Sequence, residues 1–346
     1  MKQYAKRLGG YLPLMLILTA VATVMRCIAC YNELDISTGH FNNDLTNDIA
    51  TYLTVGAIVL YLTRFVSYKG ERELRASFSN PITYLPAGAV SVALCFFATD
   101  RITSAVAGYR SDVLLERIEL LWSLALSILA ILSVGYFFLN CLTATAKSRN
   151  RAWLGMAASL FFAVYPMYLH FDARLAINAP TKLVDEMAYL FTALFFLYET
   201  RISLGRDKWR SYVTFGLIAA HLTAFSSIPS LMLYFMKGYT VSASLYESVL
   251  TLTLFFFILA RLILCELLKP NKRSPVAELI DERDSERRAA EKAKQLTANE
   301  TEEITDDEAL ARDNNIMVEN PVTEPAEGEN YAMDLDGEEA QNKEYR

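Results

Sequence analysis

Histidine is scarce in this 346-residue chain, with three in all, and cysteine is little commoner at five. A metal-dependent active site therefore has few ligands to draw on, and no metal or other cofactor is expected. The motifs that carry common catalytic chemistry are missing as well: no G-x-S-x-G, no H-E-x-x-H, no phosphate-cradling P-loop and no dinucleotide fingerprint. The reading leans away from an enzyme. The cysteines, Cys27, Cys30, Cys95, Cys141 and Cys265, all lie in or beside apolar stretches, which is not the layout of a disulfide framework. Cys27 and Cys30 stand at helical i, i+3 spacing and can share a face, but no second C-x-x-C and no nearby histidine complete a ligand set. Small apolar-tolerant packing residues is the simpler account. A basic folded face is also lacking, which argues against nucleic acid as a partner.

What the chain has instead is apolar length. Hydrophobic residues make up 53% of it, and they gather in eight stretches between positions 11 and 268. A hydrocarbon core of about 30 Å needs roughly 20 residues of helix at about 1.5 Å rise each. The stretches near Tyr11 to Tyr31, Asp48 to Val66, Pro81 to Thr99, Ile118 to Leu142, Ala152 to His170, Leu183 to Leu204, Tyr212 to Phe235 and Leu245 to Leu268 each come close to that length. The fold class that follows is all-α: a polytopic membrane bundle of about eight transmembrane helices, with the lipid bilayer as its main partner. Pro86, Pro166 and Pro229 fall inside the third, fifth and seventh stretches, where each removes a backbone donor. Small residues four apart, Ala89 with Ala93, Gly155 with Ser159 and Gly216 with Ala220, permit close approach of helices.

Lysine and arginine are retained on the cytoplasmic side of short loops. With the N-terminus inside, 18 of these residues flank the inner helix ends, from Lys2, Lys6 and Arg7 through Arg64, Arg201 and Arg261 to Arg273. The outer set is 7: Arg26, Arg101, Arg110, Arg117, Arg174, Lys182 and Lys237. Both termini are therefore expected in the cytoplasm, in a plasma membrane or a bacterial inner membrane. Lys2, Lys6 and Arg7 ahead of an apolar run, with Ala20-Val21-Ala22 inside it, also fit a signal peptide. The run continues through Val24 and Met25 past that cut, which favours an uncleaved first helix.

Charge divides the chain. Residues 271–346 hold 22 acidic and 10 basic residues, a net of −12, and leave +6 on residues 1–270. Three segments follow: a transmembrane domain over 1–270, a juxtamembrane cytoplasmic helix over 271–297, begun by Ser274 with Pro275 at its first position, and a disordered acidic tail over 298–346. The tail has too few large apolar residues to offset its ordering entropy, and it offers an acidic contact for a cytoplasmic protein.

Polar residues within the apolar stretches mark a candidate intramembrane site formed by Arg26, Asp48, Asp185, Glu186, His221 and Glu247. Asp48, Asp185, Glu186 and Glu247 stand in the first turns of their helices, where the helix dipole favours negative charge. They serve there either as caps or as an acidic ring for a cation or amine. Arg26 needs a carboxylate or a route to water, and Asp48 and the Asp185–Glu186 pair are within reach. His221, deep in the seventh stretch, reads as a proton or metal group, or as a neutral imidazole bonded to a neighbouring serine, threonine or carbonyl. Three functions remain open: a non-enzymatic assembly or signalling component, a carrier or channel for a cation that uses the outer carboxylates with Arg26 and His221, and, least favoured, a membrane-embedded enzyme, for which the sequence offers no convergent acid, base or nucleophile set. The expected topology has a direct test: reporters fused to each terminus should both report the cytoplasmic side, and opposite compartments would refute the charge-based orientation.

Overall fold

The computed structural model describes residues 10–35, 38–42, 44–67, 81–108, 114–141, 149–171, 179–204, 209–240 and 244–267. The expected juxtamembrane helix over 271–297, the acidic segment 298–346, and the basic residues Lys2, Lys6 and Arg7 lie outside them. The described residues form eight helices, α1 (Tyr11–Asn32), α2 (Asp44–Ser67), α3 (Pro81–Gly108), α4 (Leu114–Cys141), α5 (Arg149–Phe171), α6 (Pro180–Ser203), α7 (Trp209–Lys237) and α8 (Leu245–Leu267). One isolated antiparallel bridge, Leu34 with Phe41, stands between α1 and α2. In lipid every backbone amide must be satisfied within its own segment, and long helices do this. Seven of the eight are long and apolar enough to cross a bilayer, and the chain is built as a multi-pass membrane protein.

The exception is α6. Its 24 residues give it the length, but Lys182, Asp185, Glu186, Glu199 and Arg201 interrupt its apolar run. Packing shields the charges: Lys182, Asp185 and Glu199 are all buried, because α6 lies between α5 and α7. A second difference concerns α3, which continues past Thr99 through Asp100 and Arg101 to Gly108. The apolar run does end where the sequence indicates. The helix goes on because Arg101 turns inward to a carboxylate on α8.

Neighbour relations close a ring. Helix α3 packs on α4, α4 on α5, α5 on α6, α6 on α7, α7 on α8, and α8 returns to α3. The α1–α2 hairpin stands outside this six-helix ring and docks on α7 through both of its helices. Helix α7 is thereby covered from both sides, and 83% of its apolar window is buried against 28% for α2.

Aromatic side chains fill the ring. Phe97, Phe161 and Tyr165 meet edge to face or stacked at 5.2–5.8 Å between centroids. Tyr165 abuts Tyr189 at 4.8 Å, Phe162 stacks on Phe196 at 5.3 Å, and Phe196 and Phe137 both meet Phe257. Each such pair contributes about 0.5–1.5 kcal/mol beyond area burial. Two hydroxyls at this level turn to backbone carbonyls, Thr192 Oγ1 donating to Ala188 at 2.7 Å and Ser159 Oγ to Ala193 at 3.0 Å, and the Tyr189 hydroxyl bonds Thr251 Oγ1 of α8 at 2.8 Å.

Close helix approach depends on glycine at two positions. A Cβ on Gly155 of α5 would lie 2.5 Å from Thr200 Oγ1 on α6, and one on Gly216 of α7 would lie 3.0 Å from Leu262 and 3.1 Å from Phe195. Both belong to the small-residue pairs seen in the sequence. Gly216→Val, which adds an isopropyl group to that contact, should lower stability by about 1–3 kcal/mol through overpacking. Unfolding of the purified protein in mixed micelles measures this directly, and an unchanged midpoint would show that α7 stands off from α6 and α8.

Candidate functional site

The six residues singled out in the sequence occupy different neighbourhoods, and three of them, Arg26, Asp185 and His221, lie on or against α7. Arg26 is buried on α1, with its guanidinium 4.5 Å above the Phe225 ring of α7 and within hydrogen-bonding reach of Cys30 one turn on. Asp185 accepts a hydrogen bond from Ser226, next to Phe225 in the chain, so Arg26 and Asp185 approach α7 at the same level from α1 and α6. Ala22, Ala50 and Phe225 form the apolar floor of that corner. Glu186 faces the other way, toward α5, where His170 Nδ1 lies 3.3 Å from its Oε1. Asp48 stands half-buried in the first turns of α2.

His221 ties the hairpin to α7. Its Nδ1 is 2.9 Å from Thr19 Oγ1 on α1 and 3.4 Å from the Tyr61 hydroxyl on α2, and its Nε2 is 3.3 Å from Thr54 Oγ1, also on α2. The ring is fully buried, about 18 Å along α7 from Trp209 at ~1.5 Å rise per residue. Hydroxyls can donate to or accept from a neutral imidazole, and three of them surround this one. Nearer the other end, Arg210 of α7 lies 4.8 Å over Phe65 of α2, and Arg64 lies 5.7 Å over Tyr11 of α1. The hairpin is thus held along its length by polar or cation–π contacts.

Glu247 belongs to a different centre. It pairs with Arg101 of α3 inside the ring, fully buried, while Arg101 donates to the hydroxyls of Tyr165 and Tyr168 of α5 at 3.0 Å each. The guanidinium also lies 4.9 Å from the Tyr168 centroid. Glu247 Oε2 accepts from the Ser244 backbone N–H at 3.1 Å, and Ser244 Oγ from that of Glu247 at 3.3 Å, the reciprocal pattern of a capping box. One carboxylate therefore both caps α8 and neutralises a buried cation.

A second buried pair stands at the opposite end of the ring. Arg261 of α8 lies 3.1 Å from Glu199 of α6, both almost wholly buried, and donates to Asn140 Oδ1 of α4 at 2.8 Å. Asn140 is oriented by its own bond to the Tyr136 carbonyl at 3.0 Å. Glu247 and Arg261 are 14 residues apart on α8, about 21 Å along the axis. Both pairs therefore fall within or at the edges of a hydrocarbon layer about 30 Å thick. Arg101, Glu199, Asn140 and Arg261 were not among the candidates, since Arg101 reads as an outer flank and Glu199 and Arg261 as inner ones. Position within the helix is the signal that separates them from ordinary anchors: Glu199 and Arg261 each precede another turn or more of helix.

Chemically, the two centres place charge and hydroxyls at either end of an aromatic core. Among the described residues no group of three or more His, Cys, Asp or Glu is placed to hold a metal ion. Comparison with known protein families, curated proteins and solved structures finds no match to this chain.

Glu247→Ala would leave Arg101 buried without its carboxylate. Loss of one partner of a buried pair should cost about 3–5 kcal/mol, whereas Arg101→Met with Glu247→Leu should recover most of it. Reversible unfolding of the three proteins in the same micelles gives the comparison; a double variant no more stable than Glu247→Ala would contradict a simple ion pair.

Proposed function

We propose that this multi-pass membrane protein is a non-enzymatic membrane component, an assembly or signalling partner. Its bundle serves as a rigid anchor, and its acidic segment beyond Lys272 contacts a basic surface on a cytoplasmic protein. The observation that carries the reading is the filling of the ring. Aromatic rings occupy its middle, and the buried charges Arg101, Glu247, Glu199 and Arg261 are directed at one another. A conducting or carrying route needs polar groups facing a shared passage, whereas Thr192 and Ser159 at mid-level face backbone carbonyls. In this reading both termini are cytoplasmic, following the lysine and arginine bias, and the membrane is a plasma or bacterial inner membrane.

The second reading, a carrier for a cation or cationic solute, draws on one feature. Arg26 of α1 and Asp185 of α6 meet α7 at Phe225 and Ser226, one turn from His221 of α7, along the seam between hairpin and ring. A seam between two helical bodies is where a carrier would open.

Two measurements separate the readings. Proteoliposomes containing the full-length protein should pass no cation current and accumulate no labelled amine above protein-free vesicles. Proximity labelling in cells should recover a specific set of cytoplasmic neighbours that a chain stopped at Lys272 loses while it still inserts and keeps its melting midpoint. Cation or amine flux that Asp185→Asn abolishes would replace the anchor reading with the carrier.

A further inference from the structure

Among the described residues, both charged centres of the ring leave buried polar atoms without a hydrogen bond, Arg101 Nε and Glu247 Oε1 at one end and a larger group at the other. At the Arg101 end, the guanidinium has a carboxylate and two tyrosine hydroxyls, and Glu247 also accepts a backbone amide. At the Arg261 end, Glu199 Oε1 has only the ion pair, and Glu199 Oε2, Thr200 Oγ1, the Tyr212 hydroxyl and Trp209 Nε1 have no hydrogen-bond partner among the described residues. These side chains are 0%, 3%, 1% and 5% exposed, so bulk solvent does not reach them directly. They come from one end of the ring, near the C-terminus of α6 and the N-terminus of α7, with Arg261 of α8 beside them.

Buried polar atoms in folded proteins are almost always bonded, to protein or to ordered water. The occupant that suits this end must both donate and accept: Glu199 can only accept, the Trp209 indole can only donate, and the two hydroxyls do either. It must also be small. The backbone of Gly155 comes so close that a Cβ there would sit 2.5 Å from Thr200 Oγ1, and the Phe195 ring stacks on Tyr212 at 4.8 Å. Water meets both conditions, and a buried water typically makes about three hydrogen bonds.

We propose that ordered water molecules are built into the Glu199–Arg261 end of the ring, bridging Glu199 to Thr200, Tyr212 and Trp209. They hydrate the ion pair from the side that the protein leaves open and reduce the cost of holding it within the membrane. At the Arg101 end, where Tyr165, Tyr168 and Ser244 supply hydrogen bonds, Arg101 Nε and Glu247 Oε1 are the atoms left without one, fewer than at the Glu199 end.

Isosteric removal of a hydroxyl distinguishes a wet site from a dry one. Where a buried hydroxyl lacks any partner, replacing it by hydrogen or methyl stabilises; where it bonds a water, the same change destabilises. In the full-length protein in nanodiscs, Tyr212→Phe and Thr200→Val should each lower Tm by about 1–2 °C, the shift that loss of one net hydrogen bond gives in a chain of this length. An unchanged or raised Tm for both would overturn the proposal. A structure of the wild-type protein at a resolution that shows water decides independently, including the case where a variant does not fold. Density within hydrogen-bond distance of Glu199 Oε2 and the Tyr212 hydroxyl is expected, and its absence, or a direct bond between these side chains, would refute the site.

Discussion

A guanidinium inside hydrocarbon is cut off from bulk water, and the arrangement of the six-helix ring follows from where Arg101 and Arg261 find their carboxylates. Arg101 draws α3 to α8 and, through Tyr165 and Tyr168, to α5; Arg261 draws α8 to α6 and, through Asn140, to α4. Helix α8 takes part in both centres, supplying the anion at one end and the cation at the other. Lipid tails are as apolar as leucine, so apolar contact alone gives helices little reason to prefer one neighbour over another. Directed polar contacts at two levels specify the order of the ring, and the aromatic side chains then pack within it.

The hairpin obeys the same constraint in a milder form. His221 meets three hydroxyls from α1 and α2, Arg26 lies over Phe225, and Arg210 lies over Phe65. These contacts join α7 to the hairpin by hydrogen bonds and cation–π geometry. Cation–π contacts give about 0.5–2 kcal/mol depending on desolvation, less than breaking a buried ion pair costs. The two buried ion pairs of the ring are accordingly costlier to break than a cation–π contact of the seam, and α7 belongs to both bodies.

Several features of the site were legible residue by residue. Glu247 was marked as a carboxylate at a helix start, and it is one, in a capping box with Ser244; that it also neutralises Arg101 was invisible, because Arg101 lies 146 positions away beyond the end of an apolar run. His221 was placed deep in its helix with a hydroxyl among its expected partners, and the structure supplies Thr19, Thr54 and Tyr61 from two helices that no spacing rule connects to it. Glu199 and Arg261 looked like interfacial anchors, since a charge near a helix end usually faces headgroups. The difference is rotational: these two side chains point into the bundle, and rotation about a helix axis is set by neighbours.

Helix number, approximate span and the membrane itself were determined by the sequence alone, because the length of an apolar run and the need to satisfy every backbone amide in lipid are local properties. The same locality explains why Gly155 and Gly216 could be recognised as contact points. The tertiary structure alone decided which helices are neighbours, which charges meet, and that the ring is filled by aromatic side chains. Those outcomes depend on the relative rotation and order of the helices, and a one-dimensional pattern of hydropathy and charge carries no information about either.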